Sequence, residues 1–243
     1  WLLIMGAVFL FPLAGHSETT LRVGITSFPT SLGNPYSTTS GLPSLYTHAV
    51  LFEGLTRVGR DAQPIPMLAI KWEMENANSW LFYIRRGVFF SNGEPVDAYA
   101  VRSSFEILRT NVGKTYNIAS EVAGISEIEE IDEYLVRVHT FQPDILLPNK
   151  IAALKIVPPK YWAAMGAEKF ARNPIGSGPF SLLDWSSGRV YFTKYSEAWR
   201  APILDNLELV AAAEASTRVQ GLLSGRLDVA VQALNKDLDF RQI

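Results

Sequence analysis

Within residues 80–96, W-L-F-Y-I-R-R-G-V-F-F-S-N-G-E-P-V, the chain passes from a strand through a turn to the threshold of a helix. Trp80, Phe82 and Ile84 alternate with Leu81, Tyr83 and Arg85, the two-residue period of a strand with one buried face. Asn92-Gly93 follows as a turn dipeptide, since both residue types accept positive φ. Asp97 is then placed to cap a helix over residues 98–109, with Ala98, Val101, Phe105 and Leu108 as its buried stripe. Strand and helix so closely coupled mark residues 60–171 as a compact α+β unit.

The flanking segments read as α/β. Leu21, Val23 and Ile25 alternate with polar residues, which predicts a half-buried strand over residues 20–27. A loop rich in Pro, Gly, Ser and Asn spans residues 29–41. Pro43 suits the first turn of a helix, in which Leu45, Ala49 and Phe52 recur at helical spacing and which is expected to end near Gly54. Hairpins are predicted over residues 72–84, turning at Asn76, Ala77 and Asn78, over 125–140 around Asp132-Glu133, and over 180–195 at Ser187-Gly188. Two Pro-marked segments fall at residues 143–147 and 158–165. Near the C-terminus a strand (207–212), a helix (215–223) with Val219, Leu222 and Leu223 inward, a stop at Gly225 and a strand (227–231) predict a parallel pair with a right-handed crossover.

Residues 1–14 are almost unbroken in their apolar character, and Gly15, His16 and Ser17 follow as small and polar residues. That run is shorter than the roughly 20 residues a membrane span needs, and it reads as the core of a secretory leader, residues 1–17, without the initiating end. The chain has no Cys, so it forms no disulfide, offers no thiolate chemistry and has no thiol for a lipid anchor. A soluble protein in a periplasm is the expectation. With 22 Lys and Arg against 24 Asp and Glu there is no basic excess to match a phosphate backbone, and nucleic acid is excluded as a partner.

Catalytic signatures are weak. The chain has three His, and neither His48 nor His139 neighbours a Gly-x-Ser-x-Gly elbow or a second metal ligand. Gly176-Ser177-Gly178 lacks the third Gly and the Lys of a phosphate loop, and Pro179 removes a donor, so a tight backbone crossing explains the glycines better. The acid run Glu127, Glu129, Glu130, Asp132 and Glu133 falls on a strand and its turn and reads as a solvated face. Trp72, Trp80, Phe82, Phe89, Phe90, Trp185, Tyr191, Tyr195 and Trp199 suit core packing first and a cleft lining second. No catalytic residue, cofactor or metal site is assigned, and the expectation is a protein that is not an enzyme.

Residues 84–96 and the segment N-P-I-G-S-G-P-F, residues 173–180, together resemble the signature of the bacterial extracellular solute-binding proteins of family 5, receptors that feed ATP-binding-cassette importers. Glu53-Gly54-Leu55 and the segment S-G-R-L-D, residues 224–228, fit the same resemblance in order. Ala100 stands where the family usually has an acid, Ser177 where Thr is commoner and Phe180 where Tyr is commoner. The resemblance implies a periplasmic-binding-protein-like lobe with a mixed sheet, residues 18–58 and 172–243, and an inserted α+β domain, residues 59–171. The second lobe would lie beyond residue 243, so the chain is expected to be a fragment. It further implies a monomer that captures a peptide or other small solute and delivers it to an inner-membrane permease. Ser27, Phe28, Ser31, Leu32, Val210 and Ala211 are the ligand-facing positions it indicates. A receptor for nickel, an opine or an oligosaccharide is the alternative on the same scaffold. A secreted hydrolase and a remnant unable to bind stand behind it.

Overall fold

The computed structural model describes residues 18–37 and 41–232, so the expected leader lies outside the described residues. In chain order the elements are β1 (Thr20–Ile25), α1 (Leu42–His48), β2 (Thr56–Val58), β3 (Pro64–Pro66), β4 (Ala69–Asn76), β5 (Ser79–Ile84), α2 (Ala98–Arg109), α3 (Asn117–Glu121), β6 (Ile125–Asp132) and β7 (Leu135–Thr140). There follow α4 (Leu147–Lys150), α5 (Pro159–Arg172), β8 (Phe180–Ser186), β9 (Arg189–Lys194), β10 (Asn206–Ala211), α6 (Ala215–Leu223) and β11 (Val229–Ala230).

Two sheets organise these elements in a mixed α/β fold. One has the order β11-β1-β10-β9-β8 and the other β4-β5-β7-β6, with β2 and β3 as a small separate ribbon. The first strand of the chain therefore sits inside a sheet otherwise built from its last third. Both β10 and β11 run parallel to β1 and pair with it instead of with each other. Parallel neighbours need a crossover, and α6 provides it over the face carrying Gly24. A Cβ at Gly24 would come within 2.6 Å of Leu227 Cδ1, so the absence of a side chain there lets the crossover close.

The predicted hairpins form. In the four-stranded sheet Trp80, Phe82 and Ile84 of β5 join Val136 and Val138 of β7 on the buried face, against the stripe of α2. The Asp97 carboxylate accepts a hydrogen bond from Ala100 N at 2.8 Å, which caps α2 as the sequence indicates. On the outer face Arg137 pairs with Glu75 and with Glu129 of the acid run, whereas Glu130, on the α2 side, pairs with Arg102 of that helix. These pairs are substantially exposed and hold the face in register more than they stabilise it.

Two helices depart from expectation. α1 ends at His48, not near Gly54, because the backbone beyond it is claimed elsewhere. Val50 O accepts from Phe180 N, Leu51 O from Gly178 N and Glu53 O from Ile156 N, all at 2.9 to 3.2 Å. The glycines of the 173–180 segment permit this crossing: a Cβ at Gly176 would stand 1.9 Å from Leu51 O and one at Gly178 2.4 Å from Val50 O. α1 also turns the unexpected side inward, burying Ser44, Thr47 and His48 while Leu45 and Ala49 face out. In α6 the buried positions are Arg218, Val219 and Gly221, whereas Leu222 and Leu223 are exposed. The reason is the Arg218 guanidinium, which donates to Ala212 O, Ala213 O, Val231 O and Gln232 O and so fastens the ends of β10 and β11.

At the crossing, Glu53 has no exposed surface. Its carboxylate accepts from Ser177 Oγ and Trp199 Nε1, each at 2.9 Å, and from Arg200 Nε at 2.5 Å. Arg85 stacks on the Trp199 ring at 4.0 Å and encloses the group. A buried carboxylate survives only with such donors, and stripping one partner from a buried ion pair costs about 3–5 kcal/mol. Glu53→Ala is accordingly expected to lower unfolding stability by about 3 kcal/mol or more, and Ser177→Ala by about 1–2 kcal/mol through one lost hydrogen bond. Urea titrations measure both, and equal, sub-kilocalorie losses would contradict the assignment.

His48 gives a second expectation. Its Nε2 lies 2.7 Å from Leu32 O, and a carbonyl only accepts, so that nitrogen carries the proton and donates. Burial lowers the imidazole pKa from 6.5 to about 4, with the Leu32 hydrogen bond opposing and the Lys155 charge assisting. On acidification the unfolded chain therefore takes its proton before the folded one does. The stabilisation is complete above about pH 6.5 and is lost as pH falls toward 4. Between pH 7 and 5 this group accounts for about 2 kcal/mol of lost stability, which His48→Gln should remove from the urea-measured difference between the two pH values.

Candidate functional site

The register of β1 on β10, Gly24 opposite Val210 and Ile25 opposite Ala211, ends both parallel strands at one level. Ala212 N extends the ladder to Ile25 O at 2.8 Å. Open α/β sheets present ligands at such carboxyl ends. Ser27 leaves this edge exposed, and Val210 and Ala211 are half-buried in it. These three of the six expected positions thus belong to one strand-end edge.

The other three follow the loop away from it. Phe28 packs edge-on against Trp185 of β8, with ring centroids 5.8 Å apart. The Ser31 hydroxyl is buried and has no hydrogen-bond partner among the described residues. Leu32 adopts φ of 50°, the left-handed region that a branched aliphatic side chain rarely occupies. Its side chain borders a cavity of about 300 Å³ with Ala171, Arg172 and Trp185, and its carbonyl holds His48. The loop and α1 are thereby locked together.

On the far side of that lock the outward face of α1 forms a groove. A cavity of about 250 Å³ is lined by Leu42, Leu45, His48, Ile118 and Lys155, among others. A larger one, about 670 Å³, shares Leu45, Ala49, Ala153 and Lys155 with it and continues to Arg57 and Arg200. Leu42 and Leu45 are 42% and 59% exposed, and leave apolar surface on the outward side of α1. Lys155 is the charged member common to both cavities. Burial lowers its pKa below the ordinary lysine value, while the Glu53 carboxylate opposes that shift. Its backbone is fixed by Tyr36, whose hydroxyl donates to Lys155 O at 2.7 Å.

Sequence reading passed over Lys155 and the groove. The available signal was the segment A-A-L-K-I-V-P-P, residues 152–159, where one cation interrupts an apolar run that ends in two prolines. A charge in such a run is either a surface position or a group kept for a task. The neighbours Leu154, Ile156 and Val157 are fully buried while Lys155 is half-buried, so the cation stands at the rim of the core.

Ser177 spends its hydroxyl on Glu53, and His139 lies 3.3 Å from Glu129 on the outer face of the other sheet. Among the described residues no group of three or more His, Cys, Asp or Glu could hold a metal ion. No described helix is long and apolar enough to cross a membrane.

The model of the bacterial extracellular solute-binding proteins, family 5, matches residues 63–242. The nickel-binding periplasmic protein of Escherichia coli is 23% identical over 237 residues, which cover 93% of this chain and 43% of that protein. The periplasmic oligopeptide-binding protein OppA of the same organism is 24% identical, with 82% and 40% covered. Among solved structures, OppA of Burkholderia pseudomallei superposes with a TM-score of 0.79 at 22% identity, covering 88% of this chain and 46% of that one. AgaA of A. tumefaciens, in complex with agropinic acid, gives 0.77 at 27% identity, covering 86% and 43%. The chain spans less than half the length of these relatives. A family match over residues 63–242, most of the chain, identifies this protein as a member of the bacterial extracellular solute-binding proteins, family 5.

Proposed function

We propose that this chain is the first-lobe part of a receptor that captures a peptide-like solute in the periplasm and delivers it to an ATP-binding-cassette permease. The observation that carries the reading is the family match together with the ligand edge at the ends of β1 and β10. Residues 18–58 and 172–243 would form the lobe and residues 59–171 the inserted domain, in accord with the two separate sheets. Residues 1–17 would be the leader removed on export, leaving a soluble monomer without a lipid anchor or cofactor. Binding without turnover is the corresponding activity, in keeping with the solute-binding proteins whose family model the chain matches.

Peptide is favoured because strand-end backbone recognises an extended main chain and leaves side chains to roomy surroundings. A chelated metal or an opine is the second reading, favoured by the nickel-binding relative and by the agropinic acid complex of AgaA. Calorimetry on the 243-residue chain with di- to pentapeptides, nickel–histidine and agropinic acid separates the two. Saturable peptide binding weaker than micromolar, with peptide recovered intact, is expected, because one lobe supplies one wall of a two-walled site. Preference for either of the other ligands would transfer the protein to the second reading. Cleaved peptide would contradict a receptor altogether.

A further inference from the structure

The two cavities beside α1 differ in size but converge on one ammonium. Lys155 Nζ carries three donor hydrogens and spends one on Ala152 O at 2.9 Å. No carboxylate of a described residue stands within ion-pair distance of it. Glu53, whose field reaches Lys155, already accepts from Ser177, Trp199 and Arg200. Leu42, Leu45, Ala49 and Ile118 give it apolar walls, and the polar side chains that share the lining, Ser44 and His48 in the smaller cavity and Glu121 and Asn149 in the larger, make no hydrogen bond to Lys155 Nζ. A desolvated cation with spare donors in such walls is stabilised by any anion that reaches it.

We propose that Lys155 is the anchor for a carboxylate of the bound solute, whose adjoining apolar group lies against Leu42, Leu45 and Ile118. The proposal deepens the solute-receptor reading by naming the chemistry of one end of the ligand. A monoanion fits better than a phosphate dianion, because one ammonium meets one carboxylate and the apolar walls leave a second charge unsatisfied. Arg57 also lines the larger cavity, where Arg200 is spent on Glu53 and Glu121 stands among the lining residues. The anchor is preorganised: Tyr36 holds the Lys155 carbonyl, and Ile156 N donates to Glu53 O at 2.9 Å.

The test uses the 243-residue chain with N-acetyl-L-leucine and its amide, N-acetyl-L-leucinamide, followed by the side-chain NMR resonances of Lys155. The carboxylate probe is expected to shift those resonances saturably and to bind about tenfold to a hundredfold tighter than the amide, the worth of a charged hydrogen bond. Lys155→Met should erase that preference while melting no lower than the wild type, since it removes a desolvated charge, and Lys155→Arg should retain the preference. Equal binding of the two probes, or an unchanged preference in Lys155→Met, would overturn the anchor. Peptide binding without any such preference would sink the anchor and leave the receptor reading standing. Carboxylate preference in a chain that ignores all peptides would do the reverse.

Discussion

Much of this fold hangs on one carboxylate. Glu53 has no contact with water, and the donors that satisfy it come from residues 124, 146 and 147 positions further along the chain. An alternative pairing of these segments would leave a desolvated charge without partners, a penalty of several kcal/mol against a typical domain stability of 5–15. Glu53 thus selects which parts of the chain meet, while the Leu51 to Gly178 crossing beside it sets how closely they meet. The result joins the strand-end sheet to the segment that enters the four-stranded one.

The same junction shapes the ligand face. Because the backbone after His48 is drawn into the crossing, α1 stops early and is held by its polar side, through His48 and Leu32. Its apolar side is left facing the groove, with Lys155 opposite. Apolar surface and a half-satisfied cation are costly for a monomer and useful for a receptor, which is why the groove is proposed as the place where solute is held. The strand-end edge offers the complementary grip, backbone instead of side chain.

Local signals in the sequence were easily legible. The chain turned where Gly93 and Gly188 adopt positive φ and Asp97 capped α2, because each of these depends on neighbours a few residues away, while the glycines at 176 and 178 marked a crossing without naming its partner, Val50–Leu51. What escaped was decided at a distance. The end of α1 depends on Gly178 and Phe180, the inward face of α6 on strand ends that Arg218 fastens, and the place of β1 between β10 and β11 on pairing across most of the chain. The six expected ligand positions split for the same reason: Ser27, Val210 and Ala211 share an edge, whereas Phe28 is turned aside by Trp185 and Leu32 is held by His48.

The central claim is that the strand-end edge and the α1 groove act as one solute-binding face on a scaffold that stays fixed. Hydrogen exchange of the chain with and without a saturating peptide tests it most directly. Slower exchange confined to residues 26–32, 42–49, 153–156 and 210–213 is the result expected, with the β4–β7 sheet unchanged. Protection on the outer face of that sheet, or none at the groove and strand ends, would contradict the account.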